Sequence, residues 1–230
     1  MQIKINLKIF LFLIIFIITR QIKIYAILMF LALLHELGHL LAGILLGFKP
    51  EAISIIPAGF SVQFKAENKN YNVKVKKGNL LSVKKIAIAA AGPIVNLVLI
   101  VITILYWKST QNPFLIGLPV DLLIYSNLLI FMFNLIPIYP LDGGRILKEI
   151  IHIVHGLYFA YTITNKVSNA VVILLTIIAS FAVLIYKNIA ILFIIVYLWM
   201  LVIKENKKMN LKLAIWKNIV ENTETQSKCI

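Results

Sequence analysis

The chain has 230 residues, 61% of them hydrophobic and 14% charged, with a mean hydropathy of +0.94. Soluble domains carry about 45–50% apolar and about 25% charged residues, so a cytosolic single-core protein, a disordered tail and a fibrous repeat are excluded and an integral membrane protein remains. At about 20 residues per span the length holds about six spans and no large soluble domain. The net charge of +14 suggests nucleic acid in a soluble protein, but no aromatic-interleaved basic patch accompanies it, and no nucleic-acid partner is expected.

The chain opens with a basic stretch to Lys8, the apolar run Ile9–Thr19, and then Arg20 to Lys23. No small-x-small cleavage site follows and a second apolar segment begins at once, so this reads as a short uncleaved first span. Further spans are expected at Ile24–Phe48, Lys85–Trp107, Val120–Pro140, Ala170–Tyr186 and Ile189–Ile203, the last two forming a hairpin across Lys187 and Asn188. Ile146–Thr164 is apolar but holds His152, His155 and flanking charges, and reads as an amphipathic helix at the interface. Between the second and third spans, Phe60, Val62 and Phe64 alternate with polar residues, Ala66–Asn70 makes a polar turn, and Tyr71, Val73 and Val75 alternate again. That period predicts a small cytoplasmic β-hairpin within 51–84. The expected fold class is an all-α polytopic membrane protein of about six transmembrane helices with that hairpin. Residues 1–203 form the membrane domain, and 204–230 form a short basic cytoplasmic tail whose lone Cys229 has no disulfide partner.

Charge sets the orientation. With six spans both termini share a side, and that side collects Lys4, Lys8, eight lysines in 49–85, three basic residues in 145–166 and six in 204–228, nineteen in all. The other side holds only Arg20, Lys23, Lys108 and Lys187. By the positive-inside rule, the termini and the hairpin are cytoplasmic in a multi-pass cell-membrane protein.

Ionisable residues inside spans are costly and mark function. The second span contains His35-Glu36-Leu37-Gly38-His39. On a helix, residues four apart project from one face one turn apart, so the two imidazoles can hold one Zn2+ while Glu36 reaches a water on it. A catalytic zinc usually has three protein ligands, and the candidates for the third are Asp142, Asp121, His152, His155 and Glu149. Prolines at 137 and 140 interrupt the fourth span just before Asp142-Gly143-Gly144, and broken backbone at membrane depth belongs where it lines a cavity or is buried in protein. Depth favours Asp142: both spans run inward, and a bend at the prolines brings it toward His39 in the inner half of the bilayer. Asp121 lies at the outer end of the fourth span, and His152 and His155 read as interfacial side chains.

These residues resemble the site-2 protease (M50) family of intramembrane zinc metalloproteases: His35-Glu36-x-x-His39, then Gly92-Pro93-Ile94-Val95-Asn96, then Asn134, Pro137 and Pro140-Leu141-Asp142-Gly143, in the family's order over about residues 24–146. The resemblance implies that His35, His39 and Asp142 ligate one zinc and that Glu36 is the general base. It also implies that Asn134 holds substrate or the oxyanion, that Gly92 permits close packing on the metal-bearing helix, and that Asn96 orients the site or the hairpin. The six-span layout is most similar to the stage IV sporulation protein FB subfamily, which releases a membrane-tethered sigma-factor precursor. Only 27 residues follow Ile203, fewer than a CBS domain needs, so the resemblance is to that subfamily without the domain. The implied partners are a membrane-anchored protein substrate, the lipid bilayer and a membrane regulatory protein. A metal transporter built on the same ligands, or a non-catalytic membrane scaffold, is the alternative reading; the first needs a second polar site along a translocation path, and the second has no use for Glu36.

Overall fold

The computed structural model describes residues 2–5, 8–18, 20–56, 59–64, 80–115, 117–187 and 190–228. Helices dominate. Strand β1 (Gln2–Ile5) leads into helix α1 (Lys8–Ile18) and then α2 (Ile22–Leu45); strands β2 (Pro50–Ile56) and β3 (Gly59–Phe64) precede α3 (Leu80–Thr110). A two-residue ladder of β4 (Phe114–Leu115) and β5 (Leu118–Pro119) turns the chain into α4 (Val120–Leu135), followed by α5 (Asp142–His155), α6 (Leu157–Tyr186) and α7 (Ala190–Lys228).

Among the described residues, three helices are long and apolar enough to cross a membrane: Ile22–Leu45, Leu80–Thr110 and Leu157–Ile185. The shorter apolar α4 is about 24 Å long and α1 only about 16 Å, against a hydrocarbon core of about 30 Å. Their outer faces carry unbroken apolar surface, such as Leu97, Val98, Val101, Ile102 and Leu105 on α3 and Ile173, Leu174, Ile177, Ile178 and Phe181 on α6. Patches of that size are tolerable when lipid covers them.

The buried stripe of α2 runs Tyr25, Ile27, Leu31, His35, Gly38, His39 and Gly43, the helical period that faces one set of neighbours. Its upper part packs with Leu123 and Ile130 of α4. Its lower part meets α3 so closely that a Cβ on Gly38 would lie 2.7 Å from Val95 and 3.0 Å from the Ala91 carbonyl. The Lys84 ammonium closes this pair by donating to the Leu46 carbonyl at the end of α2 (3.1 Å), where the helix leaves its acceptors unmatched.

The small antiparallel hairpin expected after the second span is present, with a strand that precedes Phe60 as its described partner. Phe60–Phe64 is a strand and its antiparallel partner is β2, with Ile53 opposite Val62 and Ile55 opposite Phe60. The second expected strand, Tyr71–Val75, and its turn lie outside the described residues. β1 adds in parallel to the far side of β2, Ile3 beside Ile53, so the order is β1-β2-β3. Ile3 and Ile5 alternate with Gln2 and Lys4, a period-two signal inside what reads as a basic leader.

One further expectation is corrected. Ile146–Thr164 is not one interfacial helix: the chain breaks at Gly156, whose φ of 87° suits a residue without a Cβ, and α6 starts afresh at Leu157. The basic segment after Ile203 is helical, because α7 runs on to Lys228. Amide pairs zip that extension to α6: Asn165 donates to Asn210 (3.0 Å) and Asn206 to Asn169 (2.6 Å).

The expected proline break is present and has a specific architecture. α4 ends at Leu135, Ile136 takes the extended conformation required before Pro137, and α5 begins at Asp142. Between them Ile138 is fully buried against Val172, Leu198 and Val202 of α6 and α7, and the Tyr139 N–H donates to Ser168 Oγ (2.9 Å). Gly143 and Gly144 serve this fold by bulk rather than by unusual φ. A Cβ on Gly143 would stand 2.1 Å from the Leu135 carbonyl oxygen, and one on Gly144 2.3 Å from the backbone of Ile138 and Tyr139. Gly144→Ala is therefore expected to cost about 3 kcal/mol, the upper range for overpacking, because backbone rather than a rotatable side chain must give way. Thermal unfolding in detergent will show this as a lowered midpoint, and an unchanged midpoint contradicts the packing described.

Candidate metal centre

The motif on α2 and the first turn of α5 meet. Asp142 Oδ2 lies 3.0 Å from His35 Nε2 and 3.1 Å from His39 Nε2, and the two Nε2 atoms are 3.1 Å apart. All three residues are buried. Among the described residues they are the group of three that could hold a metal ion. Tetrahedral zinc with bonds of about 2.0–2.2 Å separates its ligand atoms by about 3.3–3.6 Å. The observed triangle is slightly tighter than one face of that tetrahedron, so the donor set fits zinc in number, type and spacing.

The opposite edge of each imidazole decides what its Nε2 offers. His39 Nδ1 donates to the Ile88 carbonyl of α3 (2.7 Å) and His35 Nδ1 to Asn96 Oδ1 (2.5 Å). Both partners are acceptors only, so in a neutral ring the proton sits on Nδ1 and the Nε2 lone pair points to the centre. Two nitrogen lone pairs and a carboxylate oxygen at about 3 Å repel unless positive charge lies among them, and a divalent cation meets all three. The other carboxylate oxygen of Asp142 faces Arg145 Nη1 at 3.7 Å.

Gly92 forms the wall of this triangle. A Cβ there would lie 2.5 Å from His35 Nε2, His39 Nε2 and His39 Cε1. Because both rings are held at Nδ1, they have little freedom to withdraw.

Glu36 leaves α2 beside His35 and accepts the backbone N–H of Val62 through Oε2 (3.3 Å). Two strand positions on, the Phe64 ring lies over Gly43, where even a Cβ would collide with it at 2.1 Å. β3 therefore lies along α2 with its outer edge, the side away from β2, turned to the motif. Asn134, in the last turn of α4, is half-buried and donates through Nδ2 to its own helix at the Ile130 carbonyl (3.1 Å).

The other candidates for the third ligand lie elsewhere. Asp121 is exposed in the first turn of α4, and His155 is exposed at the end of α5. His152, read as an interfacial side chain, is buried with Glu149 where α5 packs on the start of α3. His152 Nδ1 lies 3.1 Å from Ser82 Oγ and 3.5 Å from Glu149 Oε2, and Glu149 Oε1 lies 3.1 Å from Lys148 and 4.0 Å from Lys85. Burial alone would raise the Glu149 carboxyl, but Lys148 and Lys85 outweigh it and hold it below the usual range. This cluster pins the second half of α5 to α3. Sequence reasoning also passed over Asn127, Ile88 and Val62. The last two act through backbone, which carries no residue signature, whereas Asn127 is a polar residue inside a span and could have been found on that ground.

A helical membrane bundle with a buried His-His-Asp triangle and an adjacent glutamate defines the class, a polytopic membrane protein with a candidate metal site. The model of Peptidase family M50 matches residues 23–116 and 109–179, and the chain belongs to that family. Stage IV sporulation protein FB of Bacillus subtilis is 26% identical over 129 residues, 56% of this chain and 40% of that protein. A putative zinc metalloprotease of Synechocystis is 35% identical over 141 residues, 58% of this chain and 32% of its own length. A zinc metalloprotease of Methanocaldococcus jannaschii is 25% identical over 189 residues, 81% of this chain and 50% of that one. The chain spans about a third to a half of the length of these relatives. Its fold is similar to that of the solved site-2 protease from M. jannaschii, with a TM-score of 0.64 and 24% identity over 89% of this chain and 90% of that one.

Two substitutions probe the triangle. Asp142→Asn removes the only anionic ligand and is expected to weaken zinc retention. Gly92→Ala fills the wall and is expected to reduce zinc affinity about 100-fold, the upper range for disturbing a metal site from its second shell. Chelator competition on the purified protein measures both, and unchanged affinity in Asp142→Asn means the third ligand is another residue.

Proposed function

We propose that this chain is a zinc-dependent intramembrane endopeptidase that hydrolyses a peptide bond in or beside a transmembrane segment of a membrane-tethered protein. The observation that carries the reading is the buried His35–His39–Asp142 triangle with Glu36 beside it, in a member of Peptidase family M50. By the distribution of basic residues, the termini and the site face the cytoplasm. The resemblance to the stage IV sporulation subfamily points to a sigma-factor precursor as the substrate.

His35, His39 and Asp142 would hold the zinc, which when bound lowers the pKa of water and polarises a carbonyl. The chain's own residues then supply proton transfer and positioning. Glu36 takes a proton from the water as its oxygen attacks the scissile carbon, and passes it to the leaving nitrogen as the C–N bond breaks. The Val62 N–H steadies Oε2 and leaves Oε1 for this exchange. Asn134 stabilises the developing oxyanion once its Nδ2 turns from the Ile130 carbonyl. The low-dielectric surroundings strengthen these contacts and keep bulk water out.

A transmembrane helix hides its carbonyls in hydrogen bonds, so the substrate has to unwind. An unwound segment that pairs with the outer edge of β3 would arrive beside Glu36, because Val62 lies on both.

Glu36→Gln is expected to keep one zinc per chain and to lose cleavage of a co-expressed single-span substrate by at least about 100-fold. Cleavage that survives in this variant would overturn the assignment. Phe60→Pro removes an outer-edge donor while leaving the Val62 bond to Glu36. It is expected to slow cleavage without altering zinc content, and an unchanged rate would exclude strand pairing.

A further inference from the structure

Asn127, in the middle of α4, is a polar group that the chemistry above does not use. It is 1% exposed and its partner Asn96 0%, so neither amide has water to turn to. Asn127 Nδ2 donates to the Leu123 carbonyl one turn back (3.0 Å), Asn96 Nδ2 donates to Asn127 Oδ1 (2.9 Å), and Asn96 Oδ1 faces His35 Nδ1 (2.5 Å). The order of donors and acceptors is forced from one end. A helix carbonyl accepts and cannot donate, so Asn127 turns its NH2 toward Leu123 and its oxygen toward Asn96. Asn96 must then present its NH2 to Asn127 and its oxygen to His35.

We propose that Asn127 is a positioning residue that sets the tautomer of His35 through Asn96, keeping the proton on Nδ1 and the Nε2 lone pair toward the metal. The proposal rests on the reading of His35 as a zinc ligand and extends it to a residue on a third helix. Without the oxygen of Asn127, Asn96 can rotate its amide by half a turn and offer NH2 to His35 Nδ1. That arrangement favours the tautomer with the proton on Nε2, which must be lost before metal binds. His39 needs no such relay, because its Nδ1 meets the Ile88 carbonyl directly. The relay therefore acts on one ligand only.

The test uses the full chain in detergent with zinc alone as the probe. By chelator competition, Asn127→Leu is expected to weaken zinc binding 10- to 100-fold, the usual range for loss of an outer-shell partner. The isosteric Asn127→Asp keeps an oxygen facing Asn96 and is expected to stay within about threefold of wild type. In an Asn96→Asp background, His35 faces a carboxylate that has no amide donor to turn toward it, so adding Asn127→Leu is expected to cause no loss of zinc affinity. A residue that matters only for packing gives the same loss in both backgrounds, and that result would overturn the proposal. Asn127→Ala replaces the leucine variant if the latter does not fold. In zinc-free protein, 15N spectra of the histidines should show His35 protonated at Nδ1 in the wild type and shifted toward Nε2 in Asn127→Leu. An unchanged tautomer also overturns the relay. Wild-type protein that binds no zinc would instead overturn the metal centre, a separate outcome because the spectra are read without metal.

Discussion

A polar group placed in hydrocarbon has no water to complete its hydrogen bonds, and leaving one unmatched costs about 2–7 kcal/mol. Each imidazole of this centre has two polar edges. If one edge is to be open to a cation, the other has to be closed by a fixed acceptor. The Ile88 carbonyl and the Asn96 amide are those acceptors, and both are on α3. That requirement explains why α3 lies so close to α2, and why the contact is lined by Gly38 and Gly92. Any larger residue would separate the acceptors from the rings or enter the triangle itself.

The carboxylate reaches the same place by a different route. Asp142 is on no long span; it begins α5 after a segment that can be neither helix nor strand. That segment is fixed by Ile138 in the α6–α7 core and by Ser168, while the far half of α5 is fixed on α3 through Ser82, Lys85, Glu149 and His152. Held before its first turn and again two to three turns later, α5 has one position available. Glycines at 143 and 144 let it fold back onto the end of α4.

Much of this was legible in the residues, and the reasons for the rest are physical. The i, i+4 histidines and the proline interruption are local patterns whose geometry the backbone dictates, and depth along two inward-running spans pointed to Asp142 as the residue that meets them. The strand at Phe60–Phe64 was legible by its alternation, but β2 as its partner was not: pairing is a choice among segments, and Ala52 to Ile56 offers the single polar position Ser54 to mark a strand. β1 was masked by its charge. The helical run past Ile203 was missed because a drop in hydropathy ends a span without ending a helix. His152 and Glu149 look like surface residues on an amphipathic stretch, and only the long-range approach of α3 buries them.

The broken segment after α4 also has a mechanical meaning. His35 and His39 belong to the α2–α3 pair, whereas the segment leading into Asp142 is anchored in the α6–α7 hairpin that receives Ile138, with α5 itself held on α3 as well. An ion held by His35, His39 and Asp142 would tie the α2–α3 pair to the segment that the α6–α7 hairpin anchors. The spacing of these three side chains thereby depends on how closely the early and late parts of the bundle are drawn together.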